Sequence, residues 1–119
     1  MYKVMVVDND RDMCSVISDI LTEEVYKVAV VHDGRSAVDK VKGQRYDLMI
    51  LDYRLSGMSG LTVLEEARRI RPTLKVIMIS AFGSESVRSR ARELGAYSFL
   101  DKPFAIKELA KVVRKALRG

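Results

Sequence analysis

Five short apolar runs alternate along this chain with five stretches whose apolar residues recur at helical spacing. This alternation restricts the fold more than any other feature of the sequence. Val4 to Val7 is unbroken by polar residues, as expected of a strand buried on both faces. Met13, Val16, Ile17, Ile20 and Leu21 then mark one stripe of a helix. Tyr26 to Val31 reads as a second strand. A short helix through Ala37, Val38 and Val41 follows, with Asp33 as its cap and Gly43 as its stop. Leu48 to Leu51 is a third strand, and Leu61, Leu64, Ala67 and Ile70 form a third stripe ended by Pro72. Val76 to Ile79 leads to a helix through Val87, Ala91 and Leu94, stopped by Gly95. Ala96 to Leu100 precedes a last helix lined by Ile106, Leu109, Val113, Ala116 and Leu117. Such alternation implies right-handed crossovers, and so an α/β fold in which a five-stranded parallel sheet carries helices on both faces.

A sheet covered on both faces needs two apolar layers. The 119 residues, 48% of them apolar, are enough for one domain with such a core. Two prolines, seven glycines and no low-complexity run exclude the disordered class. The apolar run at Val4 to Val7 is too short for a secretory signal, which needs roughly 7 residues or more, and no run approaches the roughly 20 residues of a membrane span. A single cysteine, Cys14, rules out an internal disulfide, so a reducing cytoplasm is the expected compartment. Within its helical pattern Cys14 reads as a small buried hydrophobe, and the scattered methionines read as core fillers. Acids and bases balance over residues 1–81, so the formal net charge of +5 falls in residues 82–119. There Arg88, Arg90, Arg92, Lys107, Lys111, Arg114, Lys115 and Arg118 lie on the last two helices. A solvated face and an output surface fit that run equally well. No base-reading element accompanies it, so neither nucleic-acid binding nor membrane association is expected.

In parallel α/β sheets ligands bind beyond the C-terminal ends of the strands. Here the first strand ends in Asp8-Asn9-Asp10, the third in Asp52, the fourth in Ser80-Ala81 and the fifth in Leu100-Asp101-Lys102-Pro103. A core has no need for acids, a hydroxyl and a lysine on one rim. Metal-assisted phosphoryl transfer does need them. Mg²⁺ takes oxygen ligands, commonly one or two carboxylates with phosphate oxygens, and offsets charge during transfer. A carboxylate can act as the nucleophile, a lysine can pair with the phosphoryl charge, and a serine hydroxyl can donate to it.

The stretches Val6-Val7-Asp8-Asn9-Asp10, Leu51-Asp52-Tyr53-Arg54-Leu55-Ser56-Gly57-Met58-Ser59-Gly60, Ile79-Ser80-Ala81 and Lys102-Pro103-Phe104 resemble the CheY-like receiver domains of response regulators, over nearly the whole chain and at the family's spacing. The resemblance implies a flavodoxin-like (βα)5 fold with strand order 2-1-3-4-5, and one receiver domain over residues 1–119. It implies Asp52 as phosphoacceptor, and Mg²⁺ held by Asp8, Asn9, Asp52 and the backbone carbonyl of Arg54. Ser80, Ala81 and Lys102 would meet the phosphoryl group, and Phe99 would turn inward with Ser80. Lys102-Pro103 would be a cis peptide, and Arg54 and Phe82 would tune dephosphorylation. The implied donor is a sensor histidine kinase or phosphotransfer protein. The implied output is the surface of the fourth helix, fifth strand and fifth helix, read by a second copy or a downstream effector. The domain would be a switch and not a conventional enzyme, with limited self-catalysed phosphorylation and dephosphorylation.

Three departures from the family pattern matter. Asn9 stands where a second acid is usual, so weaker Mg²⁺ binding is expected. Asp10, the next acid along, reads as a helix cap. Ser80 replaces the more frequent threonine, and Ser56 a frequent proline. His32, beside Asp33 and Gly34, reads as a loop residue. Two other readings bear on the same residues. Val4 to Asp10 is also similar to the haloacid dehalogenase phosphatases, with Asp8 as nucleophile and Asp10 as acid, a reading that leaves Asp52 without a role. A receiver that is never phosphorylated and serves only as an interaction module is the other, motivated by Asn9 alone. A dinucleotide or flavin site fits poorly, because no Gly-rich loop follows the first strand.

Overall fold

A computed structural model describes residues 1–118; Gly119, the last residue of the expected domain, lies outside the described residues. The elements alternate as β1 (Lys3–Val7), α1 (Arg11–Glu23), β2 (Lys27–Val31), α2 (Gly34–Gly43), β3 (Leu48–Asp52), α3 (Gly60–Ile70), β4 (Lys75–Ser80), α4 (Glu85–Glu93), β5 (Ser98–Asp101) and α5 (Ile106–Arg118). The strands pair in parallel in the order β2-β1-β3-β4-β5. Fold class and strand order are as the sequence and its resemblance imply.

Strand side chains alternate between faces, and each face has its own apolar layer. Met5, Val7, Met49, Leu51, Val76 and Met78 pack with Ala37, Val38 and Val41 of α2, Val63, Leu64 and Ala67 of α3, and Ala91 of α4. Val4, Val6, Leu48, Ile50, Ile77 and Ile79 pack on the other side with Cys14, Ile17, Ile20 and Leu21 of α1 and Leu109, Val113 and Ala116 of α5. Four helices begin on side-chain caps. Asp10, Asp33, Ser59 and Ser84 each accept from backbone N–H groups of the first turn. Each such cap stabilises by about 1 kcal/mol, and all four stand at the rim where the strands end.

Some sequence expectations need correction. Val16 and Ile106, read as core, are 47% and 59% exposed. Val16 lies off the face of α1 that buries Cys14, Ile17, Ile20 and Leu21, and Ile106 is the first residue of α5, ahead of the buried Leu109, Val113 and Ala116. Gly43 is the last residue of α2 and has no left-handed backbone; Gln44 after it is extended and closes the helix through its N–H to the Lys40 carbonyl. Gly95, at φ 96°, does stop α4 as expected. The equivalent position after α1 is Val25, at φ 66°, a β-branched residue where glycine would be at ease. The β5 strand starts at Ser98, not Ala96, because the Ala96 N–H still bonds to the Ala91 carbonyl, closing α4.

Candidate phosphoryl-transfer site

Parallel pairing brings all five strand ends to one edge, and the order in which strands are added reverses between β1 and β3. Backbone bonds tie the ends together: Tyr53 N–H to the Ile79 carbonyl at 2.9 Å, and Lys102 N–H to the Ser80 carbonyl at 2.8 Å. The floor of this edge holds three ionisable side chains from three segments. Asp8 is fully buried and Asp52 is 6% exposed. Lys102 Nζ lies 2.9 Å from Asp8 Oδ2 and 3.6 Å from Asp52 Oδ2. The other Asp8 oxygen accepts the Asp10 N–H at 2.9 Å.

Two buried carboxylates thus share one ammonium. Burial pushes the Asp52 carboxyl up from 3.8 to about 6, and the charge of Asp8 adds to the rise while Lys102 opposes it. For Lys102, burial alone would lower the pKa, but the hydrogen bond to Asp8 and the charge of Asp52 leave it above its ordinary value. A site with one negative charge in excess, made of hard oxygen donors, fits a divalent cation such as Mg²⁺. It is nevertheless poor in acids. Among the described residues no three His, Cys, Asp or Glu side chains converge to hold a metal by themselves. Asn9, where the third acid would stand, is exposed at the mouth. Asp10 does not replace it: its carboxylate accepts from Asp12 and Met13 N–H at 3.0 and 3.1 Å, capping α1.

Ser80, 1% exposed, accepts the Phe82 N–H on its Oγ at 2.9 Å. Ala81 beside it is exposed. The Arg54 guanidinium stacks 4.6 Å from the centre of the Phe82 ring, joining the loops after β3 and β4. The Lys102–Pro103 peptide bond is cis. Phe99 is not at the carboxylates. It sits on the α4 side of the sheet, with the Arg88 guanidinium 4.7 Å from its ring centre. Of the basic run on the last two helices, Arg88 pairs with Asp101, Arg90 with Glu93 and Arg114 with Glu24. That face is partly neutralised.

Two contacts at the site went unseen in the sequence. The Asp8 carbonyl accepts the His32 Nδ1–H at 3.1 Å and the Cys14 thiol at 3.2 Å, so α1 and the end of β2 brace the backbone of the buried acid. Burial and the charge of Asp8 push the Cys14 thiol up to about 11, so it is unreactive. The other contact is Gly60: a Cβ there would lie 2.4 Å from the Asp52 carbonyl oxygen and 2.7 Å from Tyr53 Cα. Cys14 and His32 stand 18 residues apart, and only the β1–β2 pairing brings them together.

Known proteins resemble this chain in sequence and in fold. Residues 4–114 match the response regulator receiver domain family. The transcriptional regulatory protein CpxR of Escherichia coli K12 is 38% identical over 118 residues, which cover 99% of this chain and 50% of CpxR. The chain therefore spans half the length of that relative. A CheY-like receiver domain from Methanospirillum hungatei superposes with a TM-score of 0.97 at 24% identity, covering 99% of this chain and 94% of its own. A response regulator from Burkholderia pseudomallei, carrying a phosphorylated aspartic acid and a calcium ion, superposes at 0.86 with 18% identity over 97% of this chain and 72% of its own.

Proposed function

This chain belongs to the response regulator receiver domain family, and on that footing we propose that Asp52 is its phosphoacceptor. The observation that carries the reading is the burial of Asp52 beside Asp8 with one lysine between them. An Asp52 oxygen forms the new P–O bond as the P–N bond to the imidazole of a donor phosphohistidine breaks. The donor is a sensor histidine kinase or phosphotransfer protein, met in the cytoplasm; a small acyl phosphate serves in its place for self-catalysed phosphorylation. Lys102 then exchanges part of its pairing with Asp8 for the phosphoryl oxygens. Ser80 Oγ turns from the Phe82 N–H to donate to the same group. Asp8, Asp52, Asn9 and the backbone carbonyl of Arg54 would hold Mg²⁺, which would supply charge compensation to the phosphoryl oxygens. The Arg54–Phe82 stack shields the group from hydrolytic water, so the phosphorylated state is long-lived.

Asp10 bears on the phosphatase reading. One oxygen of its carboxylate caps α1, which argues against Asp10 as the acid partner of Asp8, and that reading gives no role to Asp52, which is paired with Lys102 beside Asp8. Phosphorylation biases an equilibrium between two arrangements of α4, β5 and α5, and a second copy or an effector reads the difference. The test is incubation with acetyl phosphate, with and without Mg²⁺, followed by intact mass and peptide mapping. A single adduct on Asp52, lost in Asp52→Asn and without Mg²⁺, is the expected result. An adduct on Asp8 with turnover would establish the phosphatase reading instead. No adduct, even with a phosphorylated histidine donor, would favour the unphosphorylated interaction module.

A further inference from the structure

Phe99 is flanked by two groups unrelated to the carboxylates. One is the Gly83 backbone, so close that a Cβ there would lie 2.7 Å from the ring. The other is Arg88, the fourth residue of α4, with its guanidinium 4.7 Å from the ring centre. That guanidinium is itself fixed by an ion pair with Asp101, the residue before Lys102. Further out, the ring borders an open cavity of about 350 Å³ lined also by Ala91, Arg92, Tyr97 and Ser98. The ring packs on the apolar core of the α4 side, and the Arg88 guanidinium stacks on it as well.

We propose that Arg88 is a positioning residue that clamps Phe99 in its resting place and so sets how readily the domain switches. The proposal rests on the phosphoacceptor reading above. Asp101 stands in register with Ser80, and the Lys102 N–H bonds to the Ser80 carbonyl. One arginine therefore links α4 to the strand end that carries Ser80 and Lys102. For Phe99 to follow Ser80 inward, the stack on Arg88 must break. The guanidinium then leaves the ring and α4 is free to shift. The stack and a half-exposed ion pair together bias the resting state by about fivefold to tenfold. Removing them raises the competent fraction, and apparent affinity for a phosphoryl mimic rises by the same factor.

The test uses the chain's three phenylalanines, Phe82, Phe99 and Phe104, replaced by 4-fluorophenylalanine and assigned through Phe82→Tyr and Phe104→Tyr. Fluorine spectra are recorded without ligand and during titration with beryllium fluoride and Mg²⁺. In Arg88→Ala the Phe99 resonance should move in the ligand-free protein, and half-saturation should fall about fivefold to tenfold. Asp101→Asn should move both readouts the same way, and Arg88→Lys should restore most of the wild-type behaviour. Binding by the wild type with an unmoved Phe99 resonance in Arg88→Ala would overturn the clamp alone, as would unchanged or weaker binding by that variant. A wild-type protein blind to beryllium fluoride would overturn the phosphoacceptor reading, and the clamp's role with it.

Discussion

Asp52→Asn should stabilise the metal-free protein at neutral pH while abolishing phosphorylation. The carboxyl titrates at about 6 in the fold and at 3.8 ordinarily. A raised carboxylate pKa means that the folded state binds the proton more tightly than the unfolded chain. Asp52 therefore costs nothing below 3.8, and the cost grows as pH rises toward 6. The full difference is about 3 kcal/mol at pH 7.5, and most of it is gone at about pH 4. Asparagine keeps the shape and an acceptor oxygen but removes the charge. It loses the attraction to Lys102 Nζ 3.6 Å away, which is already counted in the shift. Desolvating the amide takes back about 1 kcal/mol, leaving a gain of about 2 kcal/mol at pH 7.5. The assay is urea unfolding in EDTA, followed by far-UV circular dichroism because the chain has no tryptophan. Adding Mg²⁺ should stabilise the wild type more than the variant, because the ion relieves the same repulsion. A variant less stable than wild type at pH 7.5 in EDTA, or a difference that does not shrink toward pH 4, would refute the argument that Asp52 is held at an electrostatic cost.

Four further outcomes are expected. Val25→Gly should stabilise by about 0.5–1 kcal/mol, read from the urea midpoint, because it relieves a left-handed valine whose side chain is 68% exposed and packs on little. Gly60→Ala should destabilise by about 1–3 kcal/mol in the same assay and lower the yield of acetyl phosphate adduct, since the new methyl would press on the backbone that carries Asp52. Asn9→Asp should tighten Mg²⁺ binding roughly tenfold by calorimetry and lower the stability of the metal-free protein, because a third acid joins two that share one lysine. Arg54→Ala should shorten the life of the phosphorylated state in a time course of adduct loss, by opening the stack with Phe82 to water.

The composition of the site was legible in the sequence because strand ends and chemistry coincide in this fold. Once five parallel strands are inferred, Asp8, Asp52, Ser80 and Lys102 must share an edge, whatever the details of packing. The cap at Asp10 was legible too, since its partners lie two and three residues ahead. What the sequence by itself determined is therefore the alternation of elements, the two-faced core and the inventory of groups on the rim, all set by local periodicity and chain direction.

Only the tertiary structure decided which groups touch. Lys102 reaches Asp8 across 94 positions of chain, and the degree to which both acids are buried sets the rise at Asp52. Cys14 and His32 meet at the Asp8 carbonyl only because β1 pairs with β2. Arg88, one basic residue among eight in the sequence, is singled out by the ring and the carboxylate it happens to face. Val16 and Ile106 have the same hydrophobicity as their buried neighbours and lie outside the core by the turn of a helix. Burial, pairing and exposure depend on where segments distant in sequence come to rest against each other, and no local pattern encodes that position.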